Sequence, residues 1–231
     1  MKRVVIVQSN YIPWKGYFDL IAAADECILL DEVQFTKRDW RNRNRIKTPQ
    51  GIQWLTVPVL TRGAYHQAIS ATRIVDGQWS KVHWESLARS YRRAPHFDSV
   101  AQVVKPIYLE QRHTHLSELN RVLIGAVCGV LGIPTRVNAS SDYELTGTKS
   151  ERLVSLCRQS GATEYITGPA ARAYLDETLF GRTGIRVRWF DYSGYPEYPQ
   201  LWGGFTHEVS ALDLLFNCGG EAPRYMQWGR A

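Results

Sequence analysis

The chain opens on a short apolar, β-branched run, KRVVIVQ, which predicts a strand buried on both faces. SNYIP follows as a turn punctuated by Asn10 and Pro13. Over residues 14–24 the apolar positions Trp14, Tyr17, Phe18, Ile21 and Ala24 recur at helical spacing, and CILLDEV then reads as a second strand. Residues 3–33 thus have the length and pattern of a strand–helix–strand crossover, whose two strands are parallel by the handedness rule.

Beyond it the pattern changes. Residues 34–52 are polar and basic and read as a loop, followed by WLTVPVL (54–60) as a third strand and ISATRIV (69–75) as a fourth. Residues 78–94, 97–112 and 116–131 have helical periodicity, and Gly132 with Pro134 stops the last. TRVNAS is a short strand. Residues 148–160 form a helix opened by a capping box, with Thr148 three residues before Glu151. EYITG, a short helix from Pro169, and IRVRWFDY continue the alternation. Residues 210–217 close it as a helix with Ser210 and Asp213 at its start and Gly219 and Gly220 at its end. The expectation is one α/β domain over residues 1–231: a Rossmann-like, mainly parallel sheet with helices on both faces and a helical insert near 78–131.

Composition alters this little. Apolar residues are 44% and charged residues 22%, ordinary for a globular chain, but eight Trp and twelve Tyr are many, and such rings suit a pocket that stacks a ring or sugar. Cys27, Cys128, Cys157 and Cys218 form no CxxC pair and read as reduced core residues. The first apolar run is too short for a signal-peptide core and no stretch reaches membrane-helix length, so the expected location is cytoplasmic, with no membrane partner.

Charge is more informative. Between residues 37 and 47 lie six basic residues and one acid, a local +5 in a chain whose total is +6. Arginine forks donate two parallel hydrogen bonds to phosphate or carboxylate, and this segment follows the carboxyl end of a predicted parallel strand, where open α/β sheets bind ligands. Lys37, Arg38, Arg41, Asn42 and Arg43 are therefore candidate anion contacts, with Trp40 among them as a stacking wall. Asp31, Glu32 and Gln34 at the strand end are the candidate catalytic group. A carboxylate there can position a nucleophilic amine or accept its proton, or simply pair with an arginine. The first turn supplies Gln8, Tyr11, Trp14 and Tyr17 beside a helix N-terminus. Lys149, Arg152, Tyr198 and Gln200 are candidates for a second wall. His113, His115 and His207 read as surface or satisfied histidines. No metal set and no named cofactor emerges; GxGxxG and Walker sequences are absent.

The order of strand, turn, helix, strand and Gln34-Phe35 is similar in layout to pantothenate synthetase and other HIGH-type nucleotidylyltransferases. Trp14 and Tyr17, however, stand where their transfer histidines belong, which argues against adenylyl transfer. A fuller likeness covers nearly the whole chain: QSNYIPWKGYFDLI, LDEVQFTKRDWRNRNRIKTPQG with WLTVPV, TKSERLVSLCRQSGATEYITGPAARAYLD and YPEYPQLWGGFTHEVSALDLLFNCG resemble the WbqC-like family. Ser9 departs from it, where proline is more usual. The resemblance implies a biosynthetic setting, since members occur in gene clusters for O-antigen, other surface polysaccharides and natural products. It suggests decoration of an amino sugar or amine by an acyl or aminoacyl group. Three readings follow. One is a small transferase for a nucleotide sugar, acyl donor or amino acid with an anionic end. Another is a tRNA- or nucleotide-binding protein, and the third a non-catalytic partner in a biosynthetic complex.

Overall fold

A computed structural model describes residues 1–228. Five parallel strands form the central sheet in the order β5-β2-β1-β6-β7: β1 (Arg3–Val7), β2 (Glu26–Leu29), β5 (Arg136–Ala139), β6 (Glu164–Thr167) and β7 (Arg186–Trp189). The α/β, Rossmann-like expectation holds, including the parallel β1-α1-β2 crossover through α1 (Lys15–Ala22).

Each strand is short and apolar, so the alternation of side chains feeds two cores. Val5, Cys27 and Leu29 point to the face covered by Phe18 and Ile21 of α1, by α4 (Leu116–Leu131) and by α7 (Ala211–Cys218). Val4, Ile6, Ile28 and Leu30 point to the other face, against Leu153, Leu156 and Cys157 of α5 (Lys149–Gln159) and Phe180 of α6 (Glu177–Arg182). The helical insert is α2 (Trp79–Tyr91), α3 (Phe97–Leu109) and α4, ended by a left-handed Gly132 at φ 69°. The capping box of α5 is present as read from its sequence, with Thr148 and Glu151 as its two members.

Two expectations are corrected. Residues 34–52 are not a continuous loop: β3 (Arg43–Thr48) and β4 (Gly51–Thr56) form an antiparallel hairpin outside the main sheet, with Arg45 opposite Trp54. The segments at 54–60 and 69–75 supply no strands to the sheet; past β4 they meet in a single bridge, Val59 to Ile74. β3 escapes pattern reading because one face includes Asn44, not an apolar residue, and the other carries the cations Arg43, Arg45 and Lys47, of which Lys47 is buried.

The four cysteines are free and buried, and burial pushes the Cys128 and Cys157 thiols up to about 12. Tyr11 is wholly buried. Its hydroxyl is 2.8 Å from His83 Nδ1 and 2.6 Å from the Tyr108 hydroxyl. Burial lowers His83 from the ordinary 6.5 to about 4, so the folded protein holds it neutral where the unfolded chain binds a proton. Its contribution is complete above pH 6.5 and is lost as pH falls from 6.5 towards 4. Thermal melts should therefore show a loss of up to about 3 kcal/mol across that window, and His83→Gln should flatten it. An unchanged slope in the variant would assign the acid sensitivity to other groups.

Candidate functional site

The strand order creates a switch point. The chain leaves β1 through α1 on one face and reaches β6, on the other side of β1, with α5 on the opposite face. Open α/β sheets leave a crevice beyond the carboxyl ends of two such strands. A cleft of about 580 Å³ lies there. Val7, Gln8 and Asn10 come from the end of β1, Thr167 and Gly168 from the end of β6, and Trp14 and Tyr17 from the start of α1. Tyr174 and Tyr192 add aromatic wall.

Three cations line it: Arg41, Lys149 and Arg152. Among the described residues no carboxylate does. Arg41 donates to Asn10 Oδ1 and lies 3.8 Å from Asp39 at the rim. Arg152 donates from Nη1 to the Glu32 carbonyl at 3.3 Å and from Nε to the Gly147 carbonyl at 3.2 Å, which fixes its guanidinium across the cleft mouth. Lys149 sits at φ 44°, a left-handed conformation that a lysine adopts only where its surroundings impose it. It and Arg152 belong to the first turn of α5, whose free N–H groups and dipole reinforce the positive potential.

The loop between β1 and α1 is held from below. Ser9 N–H donates to Asp31 Oδ1 at 2.9 Å, and Asn120 of α4 donates to Ser9 Oγ at 3.1 Å and to the Arg41 carbonyl at 2.9 Å. Asn44 of β3 donates to the carbonyls of Tyr11 and Ile12, and Ile12 is held at φ 37°. Serine at position 9 thus has a structural consequence: proline would carry no N–H for Asp31. Burial raises the Asp31 carboxyl above its usual range. Gly16 is required because Trp14 folds over it, and a Cβ there would meet the indole at 2.4 Å.

The basic run of residues 37–47 is therefore split among four environments. Arg41 enters the cleft. Lys37 and Arg38 are exposed. Arg43 stacks on Trp54 at 4.3 Å and donates to the Arg38 carbonyl, while Arg45 lies over Trp40 and Trp54. Lys47 is buried and donates to Gln200 Oε1 at 2.7 Å.

Of the residues expected from sequence, Gln8, Trp14, Tyr17, Arg41, Lys149 and Arg152 converge on the cleft. Asp31 and Glu32 line a separate, smaller hollow with Glu118 and Arg121, and Glu32 accepts from Ser140 Oγ. Gln34 is exposed and donates to the Tyr65 carbonyl. Asn42 is buried and bonded to the Val57 carbonyl. Tyr11 is core. Tyr198 and Gln200 are bound to buried Asp213 at 2.7 Å each. Trp40 lines a neighbouring compartment of about 260 Å³ with Asn10, Trp14 and His207. Sequence reading names Thr167 as part of a possible second wall and Asn10 only as turn punctuation, and it misses Tyr174, Tyr192 and His207. Only their position at strand ends or in aromatic loops could have marked them.

Among the described residues no helix is long and apolar enough to cross a membrane. The fold and site together define a Rossmann-like α/β protein with a cationic cleft at its switch point. The chain belongs to the WbqC-like protein family, which it matches over residues 8–225. It is 59% identical over 230 residues, covering 100% of both chains, to "Uncharacterized protein Rv1507c" of Mycobacterium tuberculosis (strain ATCC 25618 / H37Rv). No solved structure matches it.

Proposed function

We propose that the protein is a small transferase. It binds the phosphate or carboxylate end of a donor in the β1/β6 cleft and passes an acyl or aminoacyl group to an amino sugar or another amine. The observation that carries the anionic donor is the set Arg41, Lys149 and Arg152, with no carboxylate lining the cleft among the described residues. In a crevice partly screened from water such cations interact strongly with an anion, and two of them offer bidentate forks. Trp14, Tyr17, Tyr174 and Tyr192 supply faces for a base, a ring or an acyl chain. The acyl and amine chemistry rests on the biosynthetic setting that the family resemblance implies. In this reading Asp31 is a positioning residue that fixes Ser9, and through it the cleft floor.

A thermal-shift series with nucleotide sugars, coenzyme A, ATP and amino acids tests the reading. At least one phosphate-bearing ligand should raise the melting temperature, in proportion to ligand over Kd. If none does, and Arg41→Ala/Arg152→Ala still supports product formation in cells, the reading fails.

A second reading has its own observation. Trp54 on the hairpin and Trp40 just ahead of it are 42% and 40% exposed, interleaved with Arg43 and Arg45. Such a ladder suits stacked bases and phosphates of single-stranded RNA, as a tRNA-borne donor would present. Retention of tRNA on filters that falls steeply with salt supports it; salt-independent or absent retention removes it.

A further inference from the structure

We propose that the compartment on the far side of Trp14 is a second ligand site, shaped for a pyranose ring that carries hydroxyl or amino groups. As the acceptor site of a transferase it rests on the function proposed above; as a sugar site it stands on its own geometry.

The two compartments share Asn10 and Trp14, so their occupants would lie side by side with only these residues between them. Their chemistry differs. Among the described residues the main cleft holds three cations and no carboxylate, whereas the second pairs Arg45 with Glu208 at 2.9 Å and is close to neutral. A phosphate would meet the Glu208 carboxylate; a hydroxyl group could use both partners of that pair, and an ammonium group the Glu208 carboxylate. The indoles of Trp14 and Trp40 form apolar walls for the C–H face of a ring. At about 260 Å³ the space accommodates one six-membered ring.

Two polar groups are set to orient such a ring. Arg41 occupies Asn10 Oδ1, and the Asn10 amide nitrogen has no hydrogen bond of its own among the described residues. His207 lines the compartment, and its Nδ1 is enclosed without a partner. Burial, and then the nearby Lys15 charge, lower the His207 pKa, with Glu197 opposing, so the ring is neutral near pH 7 and presents an acceptor. The floor is rigid: Asn44 donates to the Tyr11 and Ile12 carbonyls and accepts from Arg45 N–H at 2.8 Å. A few fixed polar groups between apolar walls are what small-molecule sites require.

The experiment is calorimetric titration of the full chain with glucosamine and with glucose, each with and without saturating pyrophosphate. Saturable glucosamine binding is expected, with a Kd changed less than threefold by pyrophosphate. Trp40→Ala should weaken both sugars at least tenfold. Glu208→Gln should weaken glucosamine at least fivefold more than glucose. Both residues are at the surface, and unchanged melting curves would show that the variants fold. Absence of saturable sugar binding, or displacement of the sugar by pyrophosphate, overturns the proposal. Sugar binding that persists while pyrophosphate does not bind at all would instead overturn the donor cleft and leave this site standing.

Discussion

Arg152→Ala is expected to weaken pyrophosphate binding by roughly 10- to 100-fold, and Arg41→Ala/Arg152→Ala to remove measurable binding. Each guanidinium contributes charge-assisted hydrogen bonds of about 1.5–3 kcal/mol, and every 1.4 kcal/mol is about tenfold in affinity. The two enter the cleft from different elements, Arg41 ahead of β3 and Arg152 from α5, so their losses should compound. Arg152→Lys separates charge from shape. Lysine keeps the charge but loses the fork and the bonds to the carbonyls of Glu32 and Gly147, and should recover only part of the affinity. Lys37→Ala/Arg38→Ala removes two exposed cations of the same basic run and should change affinity less than twofold. Calorimetric titration checks the series; equal losses in both pairs would mean that a diffuse field, not the cleft, binds the anion.

The largest stability effect should come from Asp213→Ala. Asp213 is fully buried in α7 and accepts from the hydroxyls of Tyr91 and Tyr198 and from Gln200 Nε2, each at 2.7 Å. Burial raises its carboxyl above the ordinary range, and the donors and the Lys47 charge oppose that rise. Removing the carboxylate leaves the buried hydroxyls of Tyr91 and Tyr198 without their acceptor and removes the negative charge near Lys47, which costs about 3–5 kcal/mol. At this chain length the melting temperature should fall by roughly 10 °C. Tyr198→Phe, which removes one donor and leaves the charge paired by the others, should cost about 1 kcal/mol. A fall below 3 °C in Asp213→Ala would show that the network relaxes or admits water.

These two variants bear on how the site was legible. The α/β alternation, the parallel β1-α1-β2 unit, the insert helices and the α5 capping box all follow from local patterns, because periodicity, caps and stops act within a few residues. The basic run drew attention to the right neighbourhood, and Arg41 belongs to the cleft. Its division could not be read, because Arg43, Arg45 and Lys47 share one face of β3 and only the tertiary fold decides that Arg43 and Arg45 lie on tryptophans while Gln200 and Gly204 cover Lys47. The placement of β6 beside β1 is a pairing of segments far apart in the chain. It alone brings Lys149 and Arg152 to Gln8 and Asn10. Asp31 draws attention because it sits at a strand end among cations; in the fold its Oδ1 accepts from the Ser9 N–H and it lines a hollow apart from the cleft. His207 looked like an ordinary loop histidine until the fold set it opposite Trp14 and Trp40.

The central claim is that the anion site lies at the switch point of the sheet and not on the basic hairpin. A crystal structure of the protein with pyrophosphate tests this most directly. The account predicts density between Arg41, Lys149 and Arg152 beyond the carboxyl ends of β1 and β6. Density at Lys37, Arg38 and Arg43 with that cleft unoccupied would contradict it.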